Sequence, residues 1–426
     1  MSLAPVAALL LSVFILLVGN GLQGTILPIR ADIEGFSAFE IGGIGAAYYL
    51  GFTIGCVAGP YAIKRVGHIR AFAALAAIAA ASSMLHALMV SPFPWYVFRC
   101  LTGVCFAGLY MIIESWLNEH STNENRGHVL SIYQCVNLTA ITAGQFLLNA
   151  SSPGGFELFA IITVLIAIGL VPVALTTATA PRPIQQTRLR IGWLYGISPV
   201  AVLGCLAVGL ANGAFWGLAP VFARLNDMAV SEIAVFMAVT IIGGAILQFP
   251  LGRISDHYDR RYVLIVACLA CAMAGLGLAL LSDGSHTVML VLAFLFGGFA
   301  FPIYALSIAH ANDLVEPDDR VNVSSGLLLI FGLGAVIGPV IASAVMEVAS
   351  HRALFYFTAG VHIFTAAFAF YRTTRRHAPA AAERDDFVLV NVSSPAVFGI
   401  DPRTPETPHG PHVEPGTEGD VTDTNP

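Results

Sequence analysis

An Asn-Gly pair followed by a proline eight positions after the asparagine occurs twice in this chain. Asn20-Gly21 precedes Pro28, and Asn212-Gly213 precedes Pro220, 192 residues further on. The register extends well beyond this match. The same shift carries Glu40-Ile41 onto Glu232-Ile233, and a shift of 194 carries Gly103 onto Gly297, Tyr110 onto Tyr304, Asn118 onto Asn312, Arg126 onto Arg320 and Gly144 onto Gly338. A repeat of half a chain predicts two related bundles facing each other across a pseudo-symmetry axis.

Composition fixes the solvent. Apolar residues make up 57% of the chain and charged residues 11%, with a mean hydropathy of +0.78, whereas soluble domains carry about 25% charge. Since a bilayer core takes about 20 apolar residues per helix, the polar breaks predict an all-α integral membrane fold with twelve spans. They fall near 5-28, 39-62, 70-90, 95-116, 127-150, 156-178, 194-222, 231-252, 262-282, 287-310, 321-344 and 353-372. The first has no basic segment before Val6, so it reads as a retained helix and not a cleaved signal. The expected domains are residues 1-178, a linker at 179-193, residues 194-373 and a tail at 374-426.

With both termini on the cytoplasmic side, fourteen loop arginines and lysines fall inside, against Arg30, Arg224 and Arg352 outside. The expectation is a multi-pass protein of a bacterial inner membrane. The net charge of -6 gathers much of its acid beyond Arg376, so it says nothing of nucleic acid. All seven cysteines fall in predicted spans, which favours packed thiols over a disulfide frame; Cys268 and Cys271 lack His or carboxylate neighbours. Beyond Arg376 the sequence turns to Ala, Pro, Thr, Glu, Asp and Gly, the composition of a disordered segment; its one apolar patch at 387-392 offers something to dock, but a loose segment is the expectation.

The second long loop reads Gly252-Arg253-Ile254-Ser255-Asp256-His257-Tyr258-Asp259-Arg260-Arg261. At Gly252, Asp256, Arg260 and Arg261 it resembles the G-x-L-A-D-R-x-G-R-R loop of the major facilitator superfamily. The equivalent first loop keeps Arg65 and Gly67 but puts Lys64 where the family has an acid. The resemblance covers residues 1 to 373 and implies a transporter with two six-helix bundles. It also implies that these loop residues form a cytoplasmic gate, with Asp256, Arg260 and Arg261 as a latch. Read without the family, the same charges are helix caps or solvated loop groups that set topology. Arg99, in Arg99-x-x-x-Gly103-x-x-x-x-Gly108, resembles a helix-4 motif whose arginine takes part in coupling; its bland alternative is hydrogen bonding to backbone carbonyls.

Charge and amide groups are costly within lipid, so each marks an inward-facing position. Glu114 lies about 22 Å along the helix from Arg99 at 1.5 Å per residue, so the two are separate elements: a proton acceptor or a wetted helix-end acid in one case, a coupling or solute group in the other. The expected pathway contains Asn20, Gln23, Gln134, Asn137, Asn212 and Gln248, with Tyr133, Trp216 and Tyr304 as aromatic walls. Ordinary interhelical packing competes with that reading for each aromatic.

No phosphate-binding loop, metal-ligand cluster or nucleophile-base pair is present in the sequence, so no cofactor, metal or enzymatic activity is expected. The expected activity is secondary transport of a small organic solute by alternating access, driven not by ATP but by protons, as proton-coupled uptake by a monomer. Proton-driven drug or metabolite efflux is the alternative, disfavoured because helix 5 reads Ala143-Gly144-Gln145-Phe146 and lacks the antiporter Gly-Pro element. A non-transporting receptor or assembly factor is the alternative of another class. Glu114-Ser115-Trp116 and Gly326-Leu327-Leu328-Leu329 resemble a bacterial permease branch; the general build is similar to some riboflavin permeases, which makes riboflavin the vitamin expected.

Overall fold

The computed structural model describes residues 4–122, 124–175, 190–282, 284–375, 384, 386–388, 390 and 392–402. The first half contains α1 (Ala4–Ile33), α2 (Ala38–Val66), α3 (His68–Leu88), α4 (Pro92–Glu119), α5 (Arg126–Phe146) and α6 (Glu157–Gly169), which α7 (Val171–Ala174) extends. After the short α8 (Ile191–Ile197), the second half contains α9 (Pro199–Leu225), α10 (Val230–His257), α11 (Arg260–Leu280), α12 (His286–Ala300) with its continuation α13 (Pro302–Asn312), α14 (Arg320–Val348) and α15 (Ala353–Thr373). Interrupted spans have local causes. Pro172, Pro199 and Pro302 each stand in a first helical turn, where a missing N–H costs nothing. Gly67, at φ +87°, separates α2 from α3 in a conformation that disfavours a side chain.

The repeat governs both local structure and packing. Glu40 Oε2 accepts the Ser37 backbone N–H at 2.8 Å to cap α2, and Glu232 Oε2 accepts the Ala229 N–H at 2.8 Å to cap α10. Helix pairing repeats as well. α1 packs on α5 and α2 on α4, while in the second half α9 packs on α14 and α10 on α12.

Among the described residues, eleven helical segments are long and apolar enough to cross a membrane. The twelfth crossing is α5, whose Gln134, Asn137, Thr142 and Gln145 dilute its hydropathy. One of its amides is met by α1. Gln145 Nε2 donates to the Gly21 carbonyl at 3.2 Å, and Thr25 Oγ1 donates to Gln145 Oε1 at 2.5 Å. This is a multi-pass membrane fold of twelve crossings.

The two halves touch directly on the face away from the termini. α2 runs against α14 so closely that a Cβ on Gly42 would collide with the Ser343 side chain and lie 2.6 Å from the Pro339 carbonyl oxygen. A Cβ on Gly45 would stand 3.3 Å from Gly217 Cα. Arg224 pairs with Asp32 across the halves, and the Phe39 N–H donates to Glu347 Oε2 at 3.0 Å. Toward the other face the halves diverge, and a 3-10 turn, Pro395–Gly399, packs between α4 and α14. The described part of the tail therefore differs from the loose segment expected from composition. Val390, Val397, Phe398 and Ile400 are each at most 2% exposed, and a few apolar side chains falling into a preformed cleft suffice to order it.

Candidate functional site

Between the halves lies a cavity of about 230 Å³. Asn20 from α1, Tyr48 and Tyr49 from α2, Arg99 from α4, and Gln134 and Asn137 from α5 wall one side. Asn212 and Trp216 from α9, Gln248 from α10, Phe301, Tyr304 from α13 and Phe331 from α14 wall the other. Tail residues Val390, Val392 and Ser393 close its end toward the termini. The cavity thus stands where the two repeats meet, as expected for a site around which bundles rock.

Its polar groups are under-satisfied. Asn20 Oδ1, Asn212 Oδ1, the Tyr304 hydroxyl and both amide atoms of Gln134 are buried without a hydrogen-bond partner, whereas Asn137 Nδ2 donates to the Tyr133 carbonyl at 2.9 Å. Unpaired amides in a dry wall are costly unless something else supplies the partner. The aromatic lining is ordered by stacking. The Trp216 and Phe301 rings lie 5.9 Å apart at 13°, and Phe215 packs edge-on to Trp216. The Arg99 guanidinium lies over the Tyr48 ring, 4.2 Å from its centroid.

Two expected pathway residues stand elsewhere. Gln23 points between helices and donates from Nε2 to Ser83 Oγ on α3 at 3.0 Å, so it serves packing. Tyr133 is fully buried outside the cavity wall and donates its hydroxyl to Glu114 Oε1 at 2.8 Å. Glu114 is also off the cavity wall. It has no exposure, and its other oxygen accepts the Ser394 hydroxyl from the tail. No basic side chain pairs with it among the described residues.

The loop residues expected to form a latch make contacts within one half. Arg260, 2% exposed, forks onto Asp313 with Nε at 2.6 Å and Nη2 at 3.3 Å, and its Nη1 reaches Ser255 Oγ at 3.0 Å and Asp256 Oδ1 at 3.2 Å. Arg261 pairs with Asp259 at 2.7 Å. Asp259 is held below its ordinary range: burial pushes its carboxyl up, but the hydrogen bonds and charge of Arg261 outweigh it. None of these pairs crosses to the first half, and Asp256 also accepts the Phe387 N–H of the tail at 2.8 Å. Gly252 lies beneath that contact, where a Cβ would come 2.6 Å from Phe387 Cε1. In the first half Arg65 and Gly67 are exposed, and Arg65 makes no ion pair among the described residues. The missing acid at Lys64 explains the asymmetry.

Sequence reasoning did not pick out Phe301, Ser394 or the Arg260–Asp313 pair. Phe301 precedes Pro302, a helix-break signal that marks an inward position, but neither Ser394 nor Asp313 carries a spacing signal to its partner.

The Major Facilitator Superfamily model matches residues 9–304 and 201–405. The chain belongs to the major facilitator superfamily. A curated relative, the uncharacterized MFS-type transporter YcaD of Escherichia fergusonii, is 26% identical over 359 residues, covering 84% of this chain and 93% of its own. Among solved superfamily structures, the nucleoside transporter NupG superposes with a TM-score of 0.72 at 16% identity, covering 88% of this chain and 100% of that one. A D-xylose-proton symporter superposes at 0.67 with 13% identity, covering 89% and 99%. At such identities the structures speak for the superfamily fold alone, and the matches give riboflavin no support.

Proposed function

We propose that this protein is a secondary transporter that carries one small organic solute across a bacterial cytoplasmic membrane by alternating access, as proton-coupled uptake, with both termini in the cytoplasm. The observation that carries the reading is the cavity built from equivalent helices of both halves, sealed by helix contacts on one face only. Rocking of the halves about Gly42 and Gly45 exchanges which face is sealed. The arginine distribution supports the orientation, and the symport named for one structural neighbour agrees with proton coupling.

Within this reading Glu114 carries the proton. It is a buried carboxyl without a cationic partner among the described residues, held by the Tyr133 and Ser394 hydroxyls. Its gain or loss of a proton changes the charge buried between α4 and the tail, which biases the two access states differently. Arg65, Gly67, Gly252, Asp256, Arg260 and Arg261 shape the cytoplasmic mouth.

The experiment is uptake into liposomes of purified protein under an imposed pH gradient, screened over nucleosides, sugars, amino acids and organic acids. Gradient-dependent accumulation by the wild type is expected. Glu114→Gln abolishes accumulation while leaving exchange intact, because exchange needs no net protonation change. Accumulation at the wild-type rate by Glu114→Gln would return that residue to a structural role, and no transport of any solute would leave the receptor reading standing.

A further inference from the structure

We infer that the solute carries an anionic group, a carboxylate beside a flat ring, and that Arg99 is the residue that receives it. The inference rests on the transport reading. Arg99 is the one charged side chain among the described residues that line the cavity. It is 8% exposed, its Nη1 is buried with no hydrogen-bond partner, and no carboxylate pairs with it among the described residues. A buried cation without an anion is costly, and the Tyr48 face beneath it compensates only in part. A carboxylate arriving from solution completes a planar two-point pair. On the opposite wall the parallel Trp216 and Phe301 rings offer a flat apolar surface, and the unpartnered amide oxygens of Asn20 and Asn212 with the Gln134 amide supply hydrogen bonds around the rim. Such a site selects an aromatic or heteroaromatic monocarboxylate over its neutral amide.

The test is equilibrium binding of benzoate, nicotinate and indole-3-acetate to the purified full chain, set against their three carboxamides. The acids are expected to bind about tenfold to hundredfold more tightly than the amides, the effect of one charge-assisted hydrogen-bonded pair. Arg99→Ala should erase that preference, and Arg99→Lys should restore only part of it. The wild-type comparison needs no variant, so a folding defect in either leaves the inference testable. Equal binding of acids and amides, or failure of all three acids at millimolar concentration, overturns it. Undiminished preference for the acids in a folded Arg99→Ala would do the same while leaving transport itself standing.

A second, independent observation concerns the tail. We propose that the described tail residues 384, 386–388, 390 and 392–402 form a removable plug that seals the termini-bearing mouth of the cavity. Arg384 Nη1 donates to the Tyr258 carbonyl at 2.8 Å, Phe387 to Asp256, and Ser394 to Glu114, so the segment is fastened to both halves. Val397, Phe398 and Ile400 are buried, and a Cβ on Gly399 would stand 2.9 Å from Asn118 Nδ2. A wedge between α4 and α14 opposes their approach, so it must leave before the mouth can close by helix contact. Because the segment is tethered to α15, it rebinds at a high effective concentration.

The pair Asn118→Cys with Gly399→Cys tests this in membranes. Oxidation should form an intramolecular cross-link absent from either single variant. A reporter introduced as Asn212→Cys should then be shielded from a maleimide added at the termini-bearing face. Reduction, or truncation after Thr374, should raise its labelling rate about tenfold, equivalent to ~1.4 kcal/mol. No cross-link, or labelling indifferent to cross-linking and truncation, overturns the plug.

Discussion

The two mouths of the central cavity are closed by different means. On the face away from the termini, backbone meets backbone: Gly42 against Pro339 and Ser343, Gly45 against Gly217, with Arg224–Asp32 at the rim. On the other face the helices stand apart, and a peptide from the chain's own end fills the gap between α4 and α14. Small residues permit a seal that is part of the fold and is remade whenever the halves tilt. A peptide seal is instead an equilibrium between a bound and a free segment, adjustable by anything that competes for the segment.

The largest way to disturb this contrast is at the pair that shapes the peptide's dock. Arg260→Met leaves Asp313 as an unpaired buried carboxylate, at a cost of about 3–5 kcal/mol, read as a lowered midpoint of thermal unfolding in detergent. A smaller loss should follow from Asp313→Ala, because Arg260 keeps Asp256 and Ser255, and the double replacement should recover much of the loss from Arg260→Met. A midpoint unchanged by Arg260→Met would remove the dock from the comparison.

Next is the helix seal itself. Gly42→Val introduces a side chain where even one carbon collides, so the halves must part at that face by a cost of about 1–3 kcal/mol. Cysteines placed in the cavity should then label from the face away from the termini, which they resist in the parent protein. Gly252→Val acts on the other seal. It displaces the Phe387 ring and should release the tail without touching the helix contacts, so labelling from the termini-bearing face alone increases.

The smallest effect is acid dependence at the second loop. Asp259 has a depressed carboxyl range in the folded protein, so its contribution to stability is present above the ordinary carboxylate pKa of about 3.9 and is lost as pH falls through the lower folded value. Asp259→Asn should therefore flatten the acid limb of stability below about pH 4 and change little at neutral pH. An unchanged acid limb would show that Arg261 gains nothing from its partner.

Much of this was legible in the sequence because the repeat and the bilayer each impose a strong rule. Asn20 and Asn212 stand on the cavity wall at equivalent places, and Glu40 and Glu232 cap equivalent helices, as the register requires. Gln23 went the other way since the sequence says only that an amide in lipid needs a partner, and Ser83 is as good a partner as a solute. The Asp256–Arg260 pairing was legible from the loop, but Asp313 and Asp259 as the nearer partners of Arg260 and Arg261 were not. Asp313 is 53 positions from Arg260, and such a pairing follows from how helices stack, which no local pattern encodes. The tail was the least legible part. Composition measures what a segment can bury by itself, and this one buries its few apolar residues in a cleft that other helices provide.

Helix α5 has a consequence for how the chain is made. Its own hydropathy falls short of that of the eleven other crossings, and its Gln145 amide finds partners on α1 only after both are in place. The membrane insertion machinery reads segments one at a time, so α5 enters as a weak candidate and is retained by a helix synthesised more than a hundred residues earlier. A chain in which the Gly21–Gln145 contact fails to form leaves an amide without a partner in the bilayer, a cost of several kcal/mol that falls on the first half alone.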